Sequence, residues 1–227
     1  MRRSMSSPGD TASTGGPDPA AASARGLKSL LRLPGLYSLF ENLVGARRAR
    51  RIFVSEYLKP SDDMRILDLG CGPAEVLEFL PARVRYAGYD SNPAYVSAAQ
   101  RKYSGRGTFR VADVTRLDPP TPNSCDAVIA MFLLHHLDDR ACRRVLGYAS
   151  AALTPAGRLV SIDPCLADET PLLGRWIIAH DRGSYLRAAP AYAALARRHF
   201  RHVTTVVRHD LLRIPYSHCL MICRNAT

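Results

Sequence analysis

Arg65-Ile66-Leu67-Asp68-Leu69-Gly70-Cys71-Gly72-Pro73-Ala74-Glu75 is the run around which this 227-residue chain is organised. Ile66, Leu67 and Leu69 make a short apolar strand that runs into a glycine-bearing turn, and a helix is expected from about Ala74 to Leu80. Without a Cβ, Gly70 and Gly72 let the backbone turn sharply and a ligand come close. Free N–H groups at the start of the next helix favour negative ligand groups.

The residues around the turn select the ligand. A dinucleotide fingerprint needs a third glycine at the sixth position and an acid about twenty residues on. The acid is present: Asp90 closes the next apolar segment, Tyr86-Ala87-Gly88-Tyr89. The third glycine is absent, because Glu75 stands in its place, and Asp68 lies two residues before Gly70. A carboxylate there repels a pyrophosphate but suits a ligand with an ammonium group. S-adenosylmethionine has that group, an adenosine and no phosphate.

Leu67-Asp68-Leu69-Gly70-Cys71-Gly72 resembles the first motif of the class I S-adenosylmethionine-dependent methyltransferases, and the likeness runs over roughly residues 64 to 165. The family's acid-x-Gly-x-Gly-x-Gly pattern ends here in Ala74. The resemblance implies S-adenosylmethionine as cofactor, held by Asp68, Gly70, Cys71, Gly72, Asp90, Ser91, Asp113, Val114 and Met131. Asp90 is placed to accept from the ribose hydroxyls, with a helix N-cap ahead of Pro93 as its alternative. Asp113 follows the next strand, Thr108–Ala112, where a carboxylate accepts from the adenine amino group or simply closes a turn.

Working outward, residues 1–26 are Ser, Gly, Pro and Ala without periodicity and read as a disordered tail. Residues 27–60 carry two apolar stripes of helical spacing, with Gly45 as a break, and form an N-terminal helical cap. Between the stripes, Arg47, Arg48, Arg50 and Arg51 read as a solvated helix face or as an anionic-substrate or membrane contact. Residues 61–227 form the methyltransferase-like domain. From Met64 onward strands and helices alternate, which implies an α/β, Rossmann-like three-layer sandwich around a mostly parallel sheet. Val203–Val207 and His218–Cys223 form a closing hairpin, so the seven-stranded sheet has one antiparallel strand near the C-terminus.

The fourth strand, Ala127–Met131, leads into Phe132-Leu133-Leu134-His135-His136-Leu137. Open α/β sheets bind ligands beyond the carboxyl ends of their strands, so His135 and His136 are candidate catalytic bases, with packing or capping as the plain alternative. The Leu-His-His-Leu pattern resembles small-molecule methyltransferases of the quinone-biosynthesis type, not the Asn/Asp-Pro-Pro-aromatic motif of amino-directed nucleic-acid enzymes. Asp163 ends strand five on the same rim. A lid-like insertion over about 166–190 carries Trp176, His180, Asp181, Arg182, Tyr185 and Arg187. Candidate acceptor contacts are Tyr37, Asp163, His180, Arg182 and Tyr185, with Arg182 and Arg187 suited to an acidic group.

Composition bounds the alternatives. A net charge of +11 would suit a nucleic-acid partner, but no aromatic-interleaved basic motif for stacking bases accompanies it. Lysine supplies only Lys28, Lys59 and Lys102, so the basic balance is an arginine bias along the chain. Six cysteines without Cys-x-x-Cys or Cys/His spacing argue for reduced thiols in a cytoplasmic protein and for no metal. No apolar run reaches membrane-span length. The expected activity is methyl transfer to a small-molecule acceptor, by O-, N- or C-methylation. An RNA methyltransferase and a non-catalytic S-adenosylmethionine-binding module are the alternatives. The oligomeric state stays open.

Overall fold

A computed structural model describes residues 45–167, 185–213 and 217–225. The expected tail, the part of the cap bearing Tyr37, and the part of the insertion with Trp176, His180, Asp181 and Arg182 lie outside them.

Helix α1 (Ala46–Ile52) continues into a wider helical turn, Phe53–Leu58. Then follow β1 (Arg65–Leu69), β2 (Arg85–Asp90), α2 (Pro93–Lys102), β3 (Gly107–Val111), β4 (Cys125–Met131) and α3 (Asp139–Ala152). Strand β5 (Leu153–Leu166), β6 (Arg187–Ala188), α4 (Ala189–Ala196), β7 (His202–Arg208) and β8 (His218–Arg224) complete the described chain. The sheet order is β3-β2-β1-β4-β5-β8-β7. Strands β1 to β5 pair in parallel, while β8 runs antiparallel to both β5 and β7. The reversed strand is therefore where the sequence puts it. The described sheet has eight strands, not seven, because the two-residue β6 adds beside Cys165 and Leu166 at the end of β5.

Buried strands send alternate residues to opposite faces, and this builds two cores. Ile66, Ile129, Val160 and Leu220 meet Ala49, Phe53 and Leu58 of the N-terminal segment and Val96 and Ala99 of α2. Leu67, Val128, Leu159 and Met221 meet Val145, Leu146 and Ala149 of α3 and Tyr192 and Leu195 of α4. Sheet between two helical layers is the expected three-layer sandwich. Consecutive strands step outward from β1 to β2 and β3, then β4 returns to the other side of β1. That reversal leaves a crevice above the carboxyl ends of β1 and β4.

Two sequence expectations change. The helix expected over Ala74–Leu80 is only a four-residue 3-10 turn, Glu75–Glu78. Ala74 sits at φ 57° and ψ 33°, a left-handed conformation that costs a Cβ-bearing residue roughly 1–2 kcal/mol. It occupies the place where the motif carries its last glycine. The second change concerns the arginine cluster. Gly45, at φ 97°, starts α1, and the arginines that follow are mostly paired within the fold. Arg47 bonds to Glu78, Arg48 lies 3.4 Å from Asp210, and Arg50 lies 2.9 Å from Glu75. Arg51 is exposed.

Candidate functional site

The crevice opens into a cavity of about 400 Å³. Asp68, Gly70, Cys71, Gly72, Asp90, Ser91, Asp113, Val114 and Met131, all expected as cofactor contacts, line it together. His136 lines it as well; His135, Asp163 and Tyr185 do not.

Asp68 lies within the buried part of β1 and is 2% exposed. Its Oδ2 accepts a 2.7 Å bond from the Tyr86 hydroxyl on the neighbouring strand. Its Oδ1 meets no donor among the described residues. Burial pushes its carboxyl up to about 7, against the Tyr86 bond, which favours the ionised form. Tyr86 itself packs against Phe109, with the rings tilted at 51° and their centres 5.8 Å apart. A buried, half-satisfied carboxylate facing a cavity is costly unless a donor arrives.

Asp90, at the end of β2, holds the turn. Its Oδ2 accepts from the Gly72 N–H at 2.9 Å and its Oδ1 from the Asn92 N–H at 2.8 Å. Each carboxylate oxygen keeps a second lone pair, so diol recognition stays open to it. The capping alternative falls to Asn92, whose Oδ1 accepts from Ala94 N–H at 2.9 Å to start α2. A Cβ built on Gly72, at φ +52°, would meet nothing within 4 Å. The space beside this glycine is the cavity itself, not protein.

Asp113 takes the turn role of its two sequence readings. Its Oδ1 accepts from the Thr115 N–H at 2.9 Å and the Thr115 hydroxyl at 2.7 Å, which lowers its carboxyl below the usual range. It remains half exposed at the cavity rim.

The two histidines separate. His135 is 3% exposed; its Nδ1 lies 2.9 Å from Asp163 Oδ1, and its backbone N–H donates to the same oxygen at 3.1 Å. Asp163, expected beside the acceptor, is 1% exposed, and its Oδ1 is engaged by His135. Burial raises its carboxyl against those bonds. His136 is exposed, with its ring centre 3.9 Å from that of His135. Arg187, read as an anion contact, is a structural clamp instead. It donates to the carbonyls of Leu134, Leu137 and Tyr185 and to Asp139 Oδ1, at 2.7 to 3.1 Å. Tyr185 is exposed, and its backbone N–H donates to the His135 carbonyl at 3.1 Å.

Arg50, Glu75 and Tyr86 were missed as site residues. Arg50 carried a legible signal: it is four residues from Ala46 and three from Phe53, both buried, so it lies on the inward face of α1. Glu75 was noticed only as a missing glycine. Nothing in the sequence singles out Tyr86 as the partner of Asp68, because their side-by-side placement comes from the β1–β2 pairing.

Residues 66–157 match the family model described as a methyltransferase domain. This segment is a methyltransferase domain. The chain is 32% identical over 132 residues to trans-aconitate 2-methyltransferase of Methylobacterium nodulans, covering 52% of this chain and 46% of that protein. It is 25% identical over 211 residues to the ubiquinone/menaquinone biosynthesis C-methyltransferase UbiE of Desulfotalea psychrophila, covering 79% and 81%. The chain thus spans about half the length of the first of these relatives. Among solved structures, human N-acetylserotonin methyltransferase in complex with S-adenosylmethionine shares the domain's fold, with a TM-score of 0.62 at 20% identity over 79% of this chain and 52% of that one. Such a domain implies S-adenosylmethionine binding. Among the described residues, no helix is long and apolar enough to cross a membrane.

Proposed function

We propose that this chain transfers a methyl group from S-adenosylmethionine to a small-molecule acceptor. The observation that carries the proposal is Asp68 Oδ1, a buried acceptor atom without a donor among the described residues, facing a cavity beside a glycine turn. The ammonium of the cofactor's amino-acid end supplies the missing donor, and Asp90 supplies acceptors for the ribose hydroxyls. Asp113 and the backbone beside it stand at the rim for the adenine. All six thiols are free and buried, which fits the cytoplasmic location expected from the sequence.

The cofactor brings an already activated methyl group on its sulfonium. The chain's task is therefore alignment and exclusion of water. Met131 and Leu133 wall the cavity beyond the glycine turn, and His136 stands exposed at its open side. His136, not the enclosed His135, is the histidine placed to take a proton from an acceptor. His135 and Asp163 hold the segment that positions it. Tyr37, His180 and Arg182 remain our candidates for the acceptor side, with Tyr185 beside the His135 carbonyl.

The named substrates of the two relatives direct the test. Radiolabelled S-adenosylmethionine would be incubated with unsaturated polycarboxylic acids, quinols and phenols, and with transfer RNA as a control. Label in a small organic product supports the proposal. Label confined to RNA, or none with any acceptor, contradicts it.

A further inference from the structure

Strand alternation fails at the end of β4, and the failure lies in the cavity wall. Along β4, Val128 packs into the core on the α3–α4 side and Ile129 into the core on the side of the N-terminal segment. Met131 follows Ile129 onto that second side, as a period of two requires. Phe132 should then point back towards α3, yet it packs on the same side as Met131. Its backbone explains this: φ is +55°, while its N–H still donates to the Ile162 carbonyl at 2.7 Å. It is the one aromatic among the described residues with positive φ, and a bulky side chain is a real outlier there. Strain of this kind persists only where the surroundings hold it, and it gathers at functional sites. Here the Phe132 ring meets the buried ring of His218, on β8, in a T shape, with 5.8 Å between centres and 83° between planes.

The turned ring sets the character of one end of the cavity. The acids that line it, Asp68, Glu75, Asp90 and Asp113, come from β1, β2 and the turns after β1 and β3. The β4 side brings Met131, Phe132, Leu133, His136 and Leu137, with no acid, arginine or lysine among the described lining residues there. Tyr95, the other aromatic in the described lining, belongs to α2 on the Asp90 side. We propose that Phe132 is the specificity residue of the acceptor end, its ring the platform for a flat, uncharged, unsaturated acceptor ring. This deepens the methyl-transfer reading above and rests on it. Two aromatic rings in offset or edge-on contact gain more than their buried area alone provides. A polycarboxylate acceptor would meet no cation among the described residues of the β4 side and acids opposite, so it is repelled. A regular strand end would leave only Met131 on this side, a flexible thioether that adapts to many apolar shapes. The left-handed turn at Phe132 adds a rigid face.

The test uses the full chain saturated with S-adenosylhomocysteine and two probes of one skeleton, with binding read by calorimetry. 2-Naphthol is flat and unsaturated; decahydro-2-naphthol keeps the carbon frame and the hydroxyl but is puckered. The wild type should bind the naphthol about threefold to tenfold more tightly, as expected of one aromatic contact. It should not bind the tricarboxylate trans-aconitate. Phe132→Leu keeps an apolar side chain and removes the ring, so it should erase the preference while leaving S-adenosylhomocysteine affinity within about twofold. Phe132→Met makes the same comparison if melting shows the Leu variant unfolded, and Phe132→Tyr, which keeps the ring, should keep the preference. No naphthol binding, no preference in the wild type, a preference that survives loss of the ring, or binding of trans-aconitate would overturn the platform while leaving the cofactor assignment standing. Cofactor affinity that falls together with the preference would also overturn it, by placing Phe132 in the cofactor half. Failure of the wild type to bind S-adenosylhomocysteine would overturn both readings.

Discussion

Asp68 joins sequence, strand pairing and the proposed ligand in one side chain. Between its ordinary value near 3.8 and about 7, the folded empty chain holds a proton that the unfolded chain has released. Its contribution to stability therefore falls as pH rises through that window, and the deficit is constant above it. Asp68→Asn keeps an oxygen for the Tyr86 hydroxyl and removes the deficit. The variant's melting temperature should exceed the parent's by more at pH 8 than at pH 5, with a stability gain of about 1–4 kcal/mol at the upper pH. An equal or lower melting temperature at pH 8 would mean Asp68 is better satisfied than its surroundings indicate. A cationic ligand prefers the ionised carboxylate, so cofactor affinity should climb from pH 5 and level off above about 7. The spacing before Gly70 made Asp68 legible, but its half-satisfied state was not, because Tyr86 reaches it only across a strand pair.

At the scale of elements, strands were read well and turns poorly. Apolar runs fixed β1, β2 and β4 to within a residue or two, since burial on both faces leaves few other ways to place them. The helix after the glycine turn was overread: Ala74 looks like a helix former, and only its left-handed backbone shows that it does a glycine's work. The Leu134–His136 turn is a tertiary product. Arg187, from a strand fifty residues on, satisfies its carbonyls, and no local pattern announces that. Arg187→Ala should cost about 2–4 kcal/mol, because several buried carbonyls lose a charged donor together. Arg187→Lys should recover little, since an ammonium cannot span three carbonyls and Asp139 in one plane. Denaturant melts of both variants check this. A Lys variant as stable as the parent would reduce the clamp to a simple charge.

Over the whole molecule, the α/β class and the reversed strand followed from alternation and the closing hairpin, while the role of the N-terminal segment did not. Its Ala49, Phe53 and Leu58 are fully buried against the sheet, and Arg158 donates to the carbonyls of Leu58 and, at 3.2 Å, Lys59. Burying each large apolar side chain is worth about 1.5–3 kcal/mol, against a total stability of roughly 5–15 kcal/mol. Deleting residues 1–58 should therefore abolish cooperative melting, as followed by circular dichroism. A truncated chain that melts near the parent temperature would make this segment an accessory.

The central claim is that the crevice above β1 and β4 is an S-adenosylmethionine site built on Asp68 and Asp90. Calorimetric titration with S-adenosylhomocysteine at pH 8 tests it most directly, on the parent, Asp68→Asn and Asp90→Ala, with a nicotinamide dinucleotide as control. One molecule bound per chain, weakened by about 1–3 kcal/mol in each variant as a buried polar group loses its partner, with no binding of the dinucleotide, is the predicted result. Binding of the dinucleotide instead, or S-adenosylhomocysteine affinity untouched by both substitutions, would contradict it.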